Sequence, residues 1–165
     1  MKKYPFLCVF LLLAVNLVVI AQVPKDSPLY RQLKIQDSIF FERSFNQCDF
    51  SYLENAIDSG LRFYHDRSGV QNREQFLENT RKYICGDAIR KPIRKADENS
   101  LEVFPLYNNN ILYGVVQTGN HRFYIREKNK PDVLTGKAKF IHLYLLVNDQ
   151  WILKEVISFE HQSPG

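Results

Sequence analysis

Four histidines, His65, His121, His142 and His161, are the side chains best suited to chemistry near neutral pH, because an imidazole gains and loses its proton there. His65 is followed at once by Asp66, inside the stretch RFYHDRSGV (62–70). A histidine beside an aspartate is either a proton-relay couple or a strand running into a turn. In a strand, adjacent side chains point to opposite faces. Leu61, Phe63 and His65 then share one face, and Arg62, Tyr64 and Asp66 the other. Without a bulge, neighbours cannot both enter one cavity. His65 is therefore expected to point inward, with Asp66 opening the turn to Gly69, so that the two do not form a catalytic dyad.

The same alternation places the other three. Along ILYGVVQTGNHRFYIR (111–126) the more apolar face carries Ile111, Tyr113 and Val115, and brings Gln117 and His121 inward with them. Near the end of the chain Leu153, Ile157, Phe159 and His161 share a face, opposite Lys154, Ser158 and Glu160. His142 lies in AKFIHLYLLV, where Phe140, Tyr144 and Leu146 compete with Ile141, Leu143, Leu145 and Val147. A strand apolar on both faces is covered on both. One cover is a helical layer, and the other is expected to be a second copy of the chain. That predicts a homodimer through the outer sheet face, with Leu143 and Leu145 near its centre.

The expected pocket-lining set is His65, Gln117, His121, His142, Tyr144 and His161. Three uses of the imidazoles compete. The least demanding is partly buried histidines satisfied by hydrogen bonds to tyrosines, Gln117 or water. General acid–base work by His121 or His142 comes second. A metal site comes last, because there is no short His-x-His pair and no inward carboxylate except Glu155. No metal or cofactor is expected.

Helices must supply the cover for this sheet. Ser27-Pro28 is a cap followed by a first-turn proline. Leu29, Leu33, Ile39, Phe40 and Phe41 build an apolar stripe there, with Arg31, Asp37 and Arg43 outside it. SYLE (51–54) has capping-box spacing for a short second helix stopping near Gly60. NREQ (72–75) caps a third, which carries Phe76, Leu77, Tyr83 and Ile84 to Gly86. Three helices followed by a curved, mainly antiparallel sheet make an α+β domain.

The chain opens MKKYPFLCVFLLLAVNLVVIAQ, a positive start, an apolar run and small residues at Val19-Ile20-Ala21. That is the layout of a signal peptide over 1–21, followed by a linker at 22–27 and one domain over 28–162. It predicts a secreted or periplasmic protein with no membrane span after cleavage. Two of the 22 basic residues, Lys2 and Lys3, fall in that segment, leaving near balance with 18 acidic ones. Such a charge is no nucleic-acid signature. The run Arg90, Lys91, Arg94, Lys95 is followed at once by Asp97 and Glu98 and reads as a solvated face. Two readings stand for Cys48 and Cys85, a disulfide in an oxidising compartment or two free thiols.

FYHDRSGV, LEVFPLYNNNILYGVVQTGNHRFY, AKFIHLYLL and WILKEVISFEH together resemble the nuclear transport factor 2-like superfamily, which includes SnoaL-like cyclases and ketosteroid isomerase. The narrower resemblance is to its domain of unknown function 4440 branch. This chain departs from that pattern at Ser158-Phe159-Glu160-His161, where Ser-Tyr-Asp-His is usual, and at Tyr144, where Trp is usual. The resemblance implies a cone-shaped α+β barrel wrapping helices around one apolar cavity, commonly as a dimer. It transfers no mechanism, because the aspartate base and the tyrosine–aspartic acid pair of ketosteroid isomerase have no matching positions here.

These readings favour a domain that binds a small, apolar or partly polar ligand. The alternative is a small isomerase, cyclase or hydrolase in which His121 or His142 moves a proton while Tyr144 or Gln117 polarises a carbonyl. A partner-binding module with a tightly packed interior is the third reading.

Overall fold

A computed structural model describes residues 22–164. The expected signal peptide lies outside the described residues. Helix α1 (Pro28–Phe41) starts where the sequence places it, with the Ser27 side chain accepting from the Tyr30 N–H. Its buried face runs Tyr30, Leu33, Asp37, Phe40 at helical spacing. α1 then loosens into a π turn, Glu42–Asn46, in which the Ser44 hydroxyl donates to the Phe40 carbonyl. Helix α3 (Arg73–Asn79) ends alike, in a π turn over Thr80–Ile84 where Thr80 donates to the Phe76 carbonyl. A hydroxyl that takes the i−4 carbonyl competes with the helical ladder and bends it. Asn72 and Gln75 form the expected capping box of α3. Helix α2 (Phe50–Ala56) is capped by Asp49 instead of Ser51, two residues earlier than the sequence suggests.

Seven strands form one curved, mixed sheet: β1 (Ile57–His65), β2 (Gly69–Asn72), β3 (Lys91–Ala96), β4 (Glu102–Asn108), β5 (Ile111–Arg126), β6 (Val133–Val147) and β7 (Gln150–Gln162). Their order is β2-β1-β7-β6-β5-β3, with β4 also paired to β5. The sheet does not close into a barrel, and β1 joins β7 in parallel while the remaining pairs are antiparallel. Phe40, Leu33, Leu53, Leu61, Phe140, Tyr144 and Leu153 fill the space between helices and sheet. No helix among the described residues is long and apolar enough to cross a membrane.

Bulges break the alternation on which the inward set was assigned. One at Tyr113 leaves Ile111 and Tyr113 exposed and turns Leu112 to the core. A second at Lys154 inverts β7, so Val156 and Ser158 are buried and Ile157 is exposed, contrary to expectation. A third sets Glu160 and His161 opposite Ala138, with Glu160 at φ 56°. It returns His161 to the inner face, on the side expected but for a reason the alternation did not contain.

Cys48 and Cys85 are bridged, with Cα atoms 6.0 Å apart and 37 residues between them in sequence. They follow the two π turns, which Lys91 also ties by donating to the carbonyls of Phe45 and Ile84. Closing a loop of this length lowers the entropy of the unfolded chain by the equivalent of about 4 kcal/mol. The Cys48→Ser/Cys85→Ser double variant should lose close to that much stability in urea unfolding. An unchanged urea midpoint would mean that Lys91 alone secures the two turns.

Candidate functional site

Two polar clusters occupy the inner face. The deeper one is built on Asp37 of α1 and Arg94 of β3. Arg94 Nη1 and Nη2 donate to the two Asp37 oxygens at 2.6 and 3.1 Å, and both side chains are 2% exposed. The guanidinium lies 3.6 Å from the centre of the Phe41 ring. Its Nε donates to His121 Nδ1 at 3.2 Å. His142 stacks on Phe140 at 4.3 Å, and its Nδ1 lies 3.8 Å from Asp37 Oδ1. Gln117 Nε2 donates to the Leu33 carbonyl. Four buried polar atoms, Gln117 Oε1, His121 Nε2, His142 Nδ1 and Tyr144 Oη, have no hydrogen-bond partner among the described residues.

Two sequence expectations fail here. Asp37 was placed outside the apolar stripe and Arg94 on a solvated face, yet they are 1% and 3% exposed. Each is tolerated because it meets the other, since a buried charge without a partner is expensive. Asp37 is also the inward carboxylate that the sequence failed to indicate. Burial, then the nearby Arg94 charge, pushes His121 down to about 2 and His142 well below the ordinary imidazole range. Burial raises the Tyr144 phenol well above its usual value. At neutral pH the two imidazoles are neutral and the phenol keeps its proton.

The Asp37–Arg94 pair forms the floor of an open cleft of about 660 Å³ between α1 and β3. Ile35, Phe41, Ile93 and Leu101 supply its apolar wall. Arg31, Lys34, Lys95 and Arg126 join Arg94 around it, against Asp37 and Glu42 as the acidic members. Just outside, Asp132 accepts from both Lys95 and Arg126. The cleft is cationic, and the histidines are not its lining.

The second cluster lies at the half-exposed rim where β1 meets β7. His65 and His161 stack at 4.2 Å, with ring planes 18° apart. Asp66 Oδ1 lies 2.6 Å from His161 Nδ1 and 3.4 Å from His65 Nδ1, and Asp66 Oδ2 accepts from the His161 backbone N–H. Ser158 Oγ is 3.3 Å from His161 Nε2. Asp66, expected on the face opposite His65, enters the same cluster. Its nearer partner is not the adjacent His65 but an imidazole from another strand, carried there by the Glu160 bulge.

No family model matches the chain, and no curated protein does. Solved structures do. ActVI-ORFA from Streptomyces coelicolor superposes with a TM-score of 0.68 at 11% identity, over 82% of this chain and 98% of that one. A nuclear transport factor 2-like superfamily protein from Salmonella enterica gives 0.57 at 17%, over 82% and 93%. The fold is nuclear transport factor 2-like. A type 2 hexachlorocyclohexane dehydrochlorinase, LinA, shares it with a TM-score of 0.59 at 11% identity, over 83% and 90%. At such identities the likeness establishes architecture, and a nuclear transport factor 2-like sheet carries no fixed chemistry of its own.

Within this nuclear transport factor 2-like frame the six expected residues separate. Gln117, His142 and Tyr144 are fully buried behind the cleft floor, and His121 joins them through Arg94. His65 and His161 stand apart at the rim. Phe123 lies between the groups, 4.6 Å from His121 and 6.0 Å from His161 by ring centres.

Proposed function

We propose that the chain is a secreted or periplasmic domain that binds a small, partly apolar molecule carrying a carboxylate or similar anion. The observation that carries this reading is the α1–β3 cleft, which combines an apolar wall with five basic side chains against two acidic ones. Small-molecule sites are concave, mostly apolar and fitted with a few orienting polar groups. Arg31 donates to the Asp26 carbonyl, a neutral group, and Lys95 and Arg126 share one carboxylate, so the cleft can attract an anion. The disulfide and the signal-like opening support an oxidising compartment. The narrower likeness to the domain of unknown function 4440 branch rests on the quoted motifs.

Binding is favoured over acid–base catalysis because the deep imidazoles are poor bases. A general base works best with a pKa near the operating pH, and His121 is held at about 2. The enzyme alternative keeps Tyr144, a protonated donor whose hydroxyl lacks a partner among the described residues.

A homodimer through the outer sheet face fits the same reading. Phe104, Val116 and Leu143 are cross-strand neighbours there, beside Ile141 and Ile157, and all are half-buried or exposed in the single chain. Light scattering of the Leu143→Glu variant should then report a monomer.

Thermal-shift measurements with aromatic and aliphatic carboxylates, each paired with its neutral amide, test the binding reading. A ligand at 100 times its Kd adds about 2.7 kcal/mol of stability. The acids should raise Tm, the amides should not, and Lys95→Ala/Arg126→Ala should weaken acid binding at least tenfold. Equal shifts with acids and amides, or none with either, would reject an anion site.

A further inference from the structure

We infer that the rim cluster of His65, Asp66 and His161 is a binding site for one divalent transition-metal ion of the zinc type, separate from the cationic cleft. Each residue offers one ligand atom, and these atoms all lie within 4.8 Å of one another. Imidazole nitrogens and a carboxylate oxygen suit Zn²⁺ at about 2.0–2.2 Å, and tetrahedral angles then put ligand atoms about 3.3 Å apart. The 3.4 Å between His65 Nδ1 and Asp66 Oδ1 already matches. The 2.6 Å between His161 Nδ1 and Asp66 Oδ1 must open by about 0.7 Å, and one of the two stacked imidazoles must turn out of parallel so that both Nδ1 lone pairs meet one ion.

The surroundings fit a ligating role. With a metal on Nδ1, the His161 proton sits on Nε2, which donates a hydrogen bond to Ser158 Oγ 3.3 Å away. A ligating histidine is ordinarily oriented by such a hydrogen bond through its other nitrogen. The Asp66 carboxylate is oriented by the His161 backbone N–H, which donates to its Oδ2 at 3.1 Å. The fourth position opens to solvent, so the site would be three-ligand with water. Two features oppose binding. The Arg67 backbone N–H donates to His65 Nδ1 at 3.0 Å and must yield, and the Arg67 guanidinium donates to the His161 carbonyl nearby. Exchanging one backbone hydrogen bond for a metal–nitrogen bond favours the metal.

The test is calorimetric titration of tag-free, disulfide-intact protein with ZnCl₂ after chelator treatment, joined by Co²⁺ absorption as a geometry readout. The expected results are one ion per chain and the visible band of tetrahedral Co²⁺. His161→Ala should abolish uptake, and Ser158→Ala, which keeps all three ligands, should weaken it about 10–100-fold. Circular dichroism of each variant separates lost ligation from lost folding. No uptake by folded wild-type protein overturns the inference, as does uptake undiminished in folded His161→Ala. Labelling of Ser158 by a fluorophosphonate without metal uptake also overturns it, assigning the Asp66–His161–Ser158 chain to nucleophilic chemistry instead. A carboxylate shift retained in His161→Ala would show that the cleft and the rim are independent sites.

Discussion

Asp37→Ala should destabilise the protein by about 3–5 kcal/mol, the range for removing one partner of a buried ion pair. The substitution deletes a carboxylate that accepts two hydrogen bonds from Arg94, and leaves the guanidinium enclosed with His121 Nδ1 and the Phe41 and Phe140 rings. None of these supplies a counter-charge. Domains are stable by about 5–15 kcal/mol in total, so the variant should show a much lower urea midpoint and a substantial unfolded fraction on mild warming. The double variant Asp37→Leu/Arg94→Met removes both charges and keeps similar volume. It should recover most of the loss, because the isolated buried charge is the expensive element. If Asp37→Ala loses under 1 kcal/mol, water reaches the pair and the cleft runs deeper than its floor suggests.

Acid should weaken the fold well before the carboxylates titrate. His121 has its folded pKa depressed to about 2 by burial and by Arg94, with His161 and His65 adding smaller repulsion, while the unfolded chain protonates near 6.5. His142 is depressed in the same direction. Between those values the unfolded state binds the proton and the folded state does not. Stability is therefore full above pH 6.5 and falls as pH drops toward the folded pKa. The facing groups are Asp37, which attracts a proton to His142, and Arg94, which repels it and lies closer to His121. His121 contributes about 1.4 kcal/mol per pH unit once well below 6.5, or about 3 kcal/mol by pH 4, and His142 adds to the loss in the same direction. Urea midpoints at pH 7, 6, 5 and 4 measure this, and His121→Gln should make the slope clearly shallower. A flat profile down to pH 4 would mean that the folded protein already accepts these protons.

The sequence revealed the α+β class, the Ser27 and Asn72 caps, and the inward placement of Gln117 and His121, because each depends on local chemistry or on one uninterrupted run of pleats. That reading did not reveal that β1 and β2 fall between the second and third helices. It lost track wherever a bulge moved the frame. Ser158 and Ile157 exchanged faces after Lys154, and nothing local to that stretch marks the extra residue. The positive φ of Glu160 is unusual for a glutamate, so it gave no composition cue. Asp37 and Arg94 were misplaced for a different reason: each looks like a surface residue until a partner 57 positions away is known. The pairing of Asp66 with His161 spans 95 positions and rests on the parallel contact of β1 with β7, which no hairpin signal announces. An acidic residue at a core-facing position of α1, four after Leu33 and three before Phe40, was the one available hint.

That parallel contact also constrains how the molecule comes into being. β1 spans residues 57–65, and its parallel neighbour spans 150–162, so the hairpin of β1 and β2 has an unsatisfied edge until residue 150 and beyond have been made. Contacts this distant in sequence delay assembly, because a long loop must close before they return any stabilisation. A nascent chain halted before residue 150 would expose a sticky ribbon to its neighbours. The protein's greatest exposure to aggregation thus falls during its own translation, and a chaperone that shields this ribbon should raise the yield of native molecules.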